Sequence, residues 1–237
     1  MVKQYRTLLF DVDDTLLDFG AAEHGALIQL FKDRELAFTP EMKEQYNTIN
    51  RRLWKAFEDG KIGRDEVVNT RFSLLFDQYG IQADGAALQT SYRSYLAEGH
   101  QLMEGAMELI KQLSKQFDLY IVTNGESRTQ YKRLNDSGLH PYFRDVFVSE
   151  DAQYQKPMKE FFDYAFERIE CFDLDHTLIV GDSLSADITG GMRARIDTCW
   201  ANLKNEKNDT DILPTYEIHH LNELYDLLQV KAPVLEV

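Results

Sequence analysis

The sequence predicts an α/β protein, a three-layer fold on a parallel sheet, interrupted by an all-α insert. Three observations carry that expectation. The runs Thr7-Leu8-Leu9-Phe10, Leu119-Tyr120-Ile121-Val122 and Thr177-Leu178-Ile179-Val180 are short and almost wholly apolar, as strands covered on both faces are. From about residue 100 onward, strand and helix patterns alternate, which implies parallel strands with helices on both sides. Residues 18–98 instead hold four helical patterns and no strand. The expected organisation is a core domain of residues 1–17 plus 99–237 and a helical domain of residues 18–98.

Taken in order, the first strand ends at Phe10, and the helical insert comes next. Its second pattern carries the stripe Met42, Tyr46, Ile49, Leu53 and Phe57, and its third Val67, Phe72, Leu75, Phe76 and Tyr79. At helical spacing these side chains read as the core of a bundle. Gly20 and Gly99 are the expected hinges, since backbone freedom is greatest there. Beyond them, Met103–Gln116 reads as a helix, Asp118–Thr123 as a strand, and Glu126–Ser137 as a helix stopped by Gly138. Asp145–Ser149 is a short strand, and Met158–Ile169 is a helix behind Lys156-Pro157, with Pro suited to a first helical position. Thr177–Val180, Ser183–Arg195, Ile196–Ala201 and His220–Gln229 continue as strand, helix, strand and helix. Lys231–Val237 reads as a tail.

Chemistry concentrates where the strands end. Asp11-Val12-Asp13-Asp14-Thr15 directly succeeds the first strand. Residues two apart on a strand share a side, so Asp11 and Asp13 can enter one crevice. Two carboxylates that close are stable together only if a cation or a proton relieves them, and Mg2+ is the natural partner of oxygen ligands. Acidic turns are common and usually just solvated, so this reading needs support from other parts of the chain. Thr123-Asn124-Gly125 supplies a hydroxyl, an amide and a Gly-containing turn, donors suited to phosphoryl oxygens. Lys156 supplies a cation beside a helix start. Gly181-Asp182-Ser183-Leu184-Ser185-Ala186-Asp187 adds a strand-end carboxylate, with a second acid about one helical turn on to hold waters or orient a neighbour. Phe172-Asp173-Leu174-Asp175-His176-Thr177 repeats the Asp-x-Asp-x-Thr pattern, but an amphipathic helix pattern precedes it, and it reads as a loop without catalytic role.

With these four motifs in order, the chain resembles the haloacid dehalogenase superfamily of phosphatases, from Leu8 to about Leu228. The likeness implies a Rossmann-like core with the class of helical cap inserted just after the nucleophile strand. Asp-Val-Asp-Asp-Thr-Leu-Leu-Asp-Phe most resembles the 5'-nucleotidase-like group acting on nucleoside monophosphates. It implies Asp11 as nucleophile through an aspartyl-phosphate and Asp13 as general acid and base. It further implies Mg2+ held by Asp11, the Asp13 backbone carbonyl and Asp182, with Asp187 in support, and phosphoryl binding by Thr123, Asn124 and Lys156. The cap would exclude water and hold the leaving group; Phe19, His24, Arg52 and Trp54 are candidate contacts by residue type alone. Sugar or glycolate phosphates, phosphoryl transfer, or a non-catalytic phosphate sensor on the same fold are the alternatives.

Composition bounds the partners. A formal net charge of -14 argues against polymeric nucleic acid, whose binding needs clustered Lys and Arg. A small phosphomonoester is compatible with it, because a metal ion and Lys156 offset the field locally. Cys171 and Cys199 show no metal or redox spacing and read as core fillers in a reducing compartment. No apolar run near Lys3 and Arg6 is long enough for a signal peptide or a membrane span. The expectation is a cytoplasmic monomer or homodimer.

Overall fold

The computed structural model describes residues 3–58 and 61–232. Its strands are β1 (Thr7–Phe10), β2 (Asp118–Thr123), β3 (Asp145–Val148), β4 (Thr177–Gly181), β5 (Asp197–Ala201) and β6 (Tyr216–Ile218). They form one parallel sheet in the order β3-β2-β1-β4-β5-β6. Leu8 registers against Leu119 on one side and Leu178 on the other. The chain builds β2 and β3 on one flank of β1, then crosses to β4 on the other. That reversal opens a crevice beyond the carboxyl ends of the central strands, where ligands of such sheets bind.

Between β1 and β2 come α1 (Phe19–Lys32), α2 (Pro40–Glu58), α3 (Arg64–Asp77), α4 (Gly85–Leu96) and α5 (Ala106–Leu113). Farther on lie α6 (Ser127–Asp136), the single turn α7 (Ser149–Ala152), α8 (Lys159–Phe166), α9 (Thr189–Ala194) and α10 (Glu223–Leu227). The period-two alternation of strand side chains sorts the sheet into two cores. Leu8, Phe10, Leu119, Ile121, Leu178 and Val180 meet α5, α6 and α10 on one face. Leu9, Tyr120, Val122 and Ile179 meet Phe161, Phe162 and Ala165 of α8 and Ala194 of α9 on the other.

The chain divides into two compact units, Met1–Gly20 with His100–Val237, and Ala21–Gly99. In the first, the chain leaves and returns as a short antiparallel ribbon. Leu17 bridges Leu102, the Asp18 N–H donates to the Gln101 carbonyl at 2.8 Å, and Met103 donates to Leu16 at 2.9 Å. The second is a helical unit packed around Leu27, Leu30, Phe31, Tyr46, Ile49, Phe72, Leu75, Phe76, Leu88 and Tyr92. Within it the buried Arg71 guanidinium donates to Gln89 (2.7 Å), Asn50 and the Tyr46 hydroxyl (3.1 Å each).

Several sequence expectations are corrected. β6 was not expected; it is three residues long and half exposed, too short to show a period. The segment expected as one helix from Ser183 to Arg195 is a π-turn, Leu184–Ile188, succeeded by α9. The helix expected from Met158 starts at Lys159, with Met158 as its N-cap, and the Lys156–Pro157 peptide is cis. Pro157 therefore belongs to a turn ahead of the helix. Cys199 is buried as expected, but Cys171 is exposed. Of the expected tail, residues 233–237 lie outside the described residues. Among the described residues no helix is long and apolar enough to cross a membrane.

Candidate active site

The ends of β1, β2 and β4 bring the candidate residues together. Asp11 is the first residue past β1, tied to the sheet by its N–H donating to the Val180 carbonyl at 2.9 Å. Lys156 lies beneath it at 3 % exposure. Its ammonium donates to Asp11 Oδ1 (2.6 Å), Asp187 Oδ1 (2.6 Å) and the Val122 carbonyl (2.7 Å). Those bonds use all three of its donors. Lys156 thus acts as a buried counter-charge rather than as a cation placed at a helix start.

Asn124 explains how Lys156 is held. Its Oδ1 accepts from the Lys156 N–H at 2.8 Å, and its Nδ2 donates to the Lys156 carbonyl at 2.9 Å. The sequence expectation assigned this side chain to phosphoryl oxygens. The structure instead commits its carbonyl and one amide hydrogen to the backbone of the Lys156–Pro157 turn.

Asp182 lies just past β4, and Trp200 Nε1 donates to its carbonyl at 2.7 Å. Asp187 comes back onto the strand end, its Oδ2 accepting from the Ser183 N–H at 3.0 Å. Gly181 makes that return possible: a Cβ there would sit 2.3 Å from Asp187 Oδ2. Asp11, Asp182 and Asp187 each offer a carboxylate oxygen, all within 4.8 Å of one another. Both oxygens of Asp187 already accept hydrogen bonds, which suits it to orienting its neighbours.

The electrostatics are strained in a definite direction. Burial pushes the Asp11 carboxyl up, with Asp187 and Asp13 adding to the push and Lys156 opposing it. Burial, seconded by the charges of Asp11, Asp187 and Asp14, raises Asp182 likewise. For Lys156 burial alone would lower the ammonium, but the two carboxylates outweigh it and hold the group charged. One buried ammonium thus faces three carboxylates. Asp14 Oδ1 is also buried without a hydrogen-bond partner, and Asp14 and Asp182 border a small cavity of about 30 Å³. This all-oxygen donor set, short of positive charge and with room for a bound water, fits a hard divalent cation.

Asp13 points to a different set of partners. Its Oδ1 pairs with Arg133 Nη1 and its Oδ2 accepts from Gln130 Nε2 at 2.9 Å. Gln130 Nε2 also donates to Thr123 Oγ1 at 2.9 Å, and the Gly125 N–H donates to the same oxygen at 3.2 Å. Both acceptor positions of Thr123 are thereby filled, which leaves its O–H proton to be donated.

Gln130 and Arg133 were missed in the sequence, where polar residues on a helix read as a solvated face. The signal was present. In α6 the buried positions are Gln130, Arg133 and Leu134; four back from Leu134 is Gln130 and three on from Gln130 is Arg133, the i, i+3, i+4 pattern of a core stripe. The second Asp-x-Asp-x-Thr stretch is exposed, as expected of a loop: Asp173 caps a 3-10 turn, Leu174–His176, and pairs with His176 at 2.8 Å. It leads into the amino end of β4, opposite the candidate site.

Strand-end carboxylates around a buried lysine, at the switch point of a parallel sheet, define an α/β protein with a polar ligand site beyond its strand ends. A family model described as haloacid dehalogenase-like hydrolase matches residues 8–201, and the chain belongs to that family. It is 61 % identical to the HAD-hydrolase YfnB of Bacillus subtilis over 98 % of this chain and 99 % of that protein. It is 46 % identical to the pyrimidine 5'-nucleotidase PynA of Streptococcus pneumoniae, across 94 % of this chain and 95 % of the relative. The pyrimidine 5'-nucleotidase YjjG of Escherichia coli is 32 % identical, with 93 % and 96 % covered. A crystal structure of YfnB bound to magnesium superposes with a TM-score of 0.94, covering 96 % of this chain and all of that one.

Proposed function

We propose that this hydrolase is a Mg2+-dependent phosphomonoesterase acting on nucleoside 5'-monophosphates, pyrimidine nucleotides foremost. The observation that carries the phosphatase reading is the grouping of Asp11, Lys156, Asp182 and Asp187, with Asp13 two residues beyond the nucleophile candidate. The nucleotide preference is supported by PynA and YjjG, both named as pyrimidine 5'-nucleotidases. Nucleoside discrimination is assigned to the helical domain of residues 18–98.

In this mechanism Asp11 attacks phosphorus in line. A P–O bond forms to the carboxylate, and the bond to the leaving oxygen breaks with its electron pair. Asp13 gives its proton to that oxygen, then takes one from the water that attacks the aspartyl-phosphate. Phosphate departs and the Asp11 carboxylate is restored. Thr123 donates its hydroxyl proton to a phosphoryl oxygen, and the backbone of the Asn124–Gly125 turn offers further donors. Lys156 opposes the rise of the Asp11 carboxyl and orients it. Asp11, the Asp13 carbonyl and Asp182 would hold Mg2+, which supplies charge neutralisation for the meeting of two anions. Family structures also include 2-haloacid dehalogenases, one 28 % identical with a TM-score of 0.66. Asp13 favours the phosphatase, since a departing halide needs no proton.

The test is phosphate release from a panel of nucleotide, sugar and glycolate phosphates, with Mg2+ or with EDTA. Pyrimidine nucleotides are expected to lead, and EDTA to abolish release. A lead for sugar phosphates would keep the chemistry and overturn the substrate; no release from any ester would favour a sensor.

A further inference from the structure

Asp13 stands half-exposed in the loop after β1, outside any strand or helix. An acid–base carboxylate must nevertheless present an oxygen within hydrogen-bond reach of the reacting one. Both of its oxygens are gripped from α6, Oδ1 by Arg133 and Oδ2 by Gln130. The grip is itself braced. Arg133 Nη1 donates to Gln130 Oε1 at 3.0 Å, and Gln130 Nε2 divides its hydrogens between Asp13 and Thr123. Both side chains are 1 % exposed, on the stripe where α6 buries Leu134. Gly125 clears the space, since a Cβ there would lie 2.5 Å from Gln130 Cγ.

We infer that Gln130 and Arg133 are positioning residues that fix the plane of the Asp13 carboxylate and tie it to the phosphate-side hydroxyl of Thr123. The inference rests on reading Asp13 as the acid and base. Two polar side chains occupy core positions, where leaving such groups unsatisfied would cost about 1–3 kcal/mol each. What they secure there is a carboxylate held on two oxygens by two donors. A network in which each member bonds two others holds them in one arrangement. Each Asp13 oxygen keeps a further lone-pair direction for the proton it exchanges. Loosening the Arg133 grip leaves the nucleophile and Thr123 in place while the proton donor wanders; loosening Gln130 also releases one bond to Thr123.

The test compares kcat/KM for p-nitrophenyl phosphate, whose leaving group needs no proton, with that for a nucleoside 5'-monophosphate, whose alkoxide does. Wild type, Asp13→Asn, Gln130→Met and Arg133→Lys are measured side by side, with thermal melts. Arg133→Lys is expected to lose about 10–100-fold on the nucleotide and at most about threefold on the aryl ester. Gln130→Met, which also releases Thr123, is expected to lose on both esters and about tenfold more on the nucleotide. Asp13→Asn should show the same asymmetry more strongly. Equal losses on both esters, or none, would overturn the positioning role and leave the phosphatase reading standing. Absence of leaving-group dependence in Asp13→Asn would remove the acid–base assignment and this inference together. Should Arg133→Lys not fold, the nearly isosteric Gln130→Met carries the comparison.

Discussion

Asp11 and Asp13 are two residues apart, yet each answers to a different buried cation. Asp11 is held by Lys156 from the turn before α8, and Asp13 by Arg133 from α6. On the proposed mechanism, that division separates the carboxylate that attacks from the one aimed at the leaving group. Asp11→Asn keeps the shape of the side chain but removes the nucleophile, so phosphate release should vanish while the melting curve shows a folded protein. Release near the wild-type rate would exclude a covalent intermediate on Asp11. Asp13→Asn should cost about 10²–10⁴-fold on alkyl phosphates. Asp11, Asp13, Asp182 and Lys156 were legible in the sequence because each sits at a strand end or beside a proline. The clamp that Asn124 forms on the Lys156 backbone was not, because a side chain that holds a turn far along the chain leaves no local pattern.

At the level of elements, strands were easier to read than helices. β1, β2 and β4 are buried on both faces and announce themselves as apolar runs. β6 and the π-turn before α9 are set by tertiary contacts, so periodicity carries no trace of them. That π-turn has a use: it carries Asp187 back under Gly181 and onto Lys156. Gly181→Ala should push Asp187 off both Lys156 and Ser183. The expected cost is about 1–3 kcal/mol in urea denaturation, with a loss of turnover that no other substrate recovers. Stability and activity both unchanged would mean that the turn yields enough to admit the methyl group.

For the whole molecule, the crowded carboxylates are expected to make stability depend on pH and, on the proposed function, on Mg2+. Burial raises the Asp11 and Asp182 carboxyls in the folded state. A raised carboxyl holds a proton that the unfolded chain has already released. Stability is therefore fully present below the ordinary carboxylate range and falls as pH rises through the raised values. Metal-free protein should melt at lower temperature at pH 8 than at pH 6, and Asp182→Asn should flatten that slope. Mg2+ at a hundredfold excess over its Kd should return about 2.7 kcal/mol. Equal slopes for wild type and Asp182→Asn would show that these carboxyls do not govern the dependence.

The ribbon formed by Leu16–Asp18 and Gln101–Met103 has a consequence for inheritance. To the sheet, everything from Ala21 to Gly99 is one long detour between two adjacent chain ends. Those ends are fastened to each other by their own hydrogen bonds, whatever is spliced between them. On the proposed function, a lineage that exchanged the helical cassette would keep the strand-end chemistry and change its appetite.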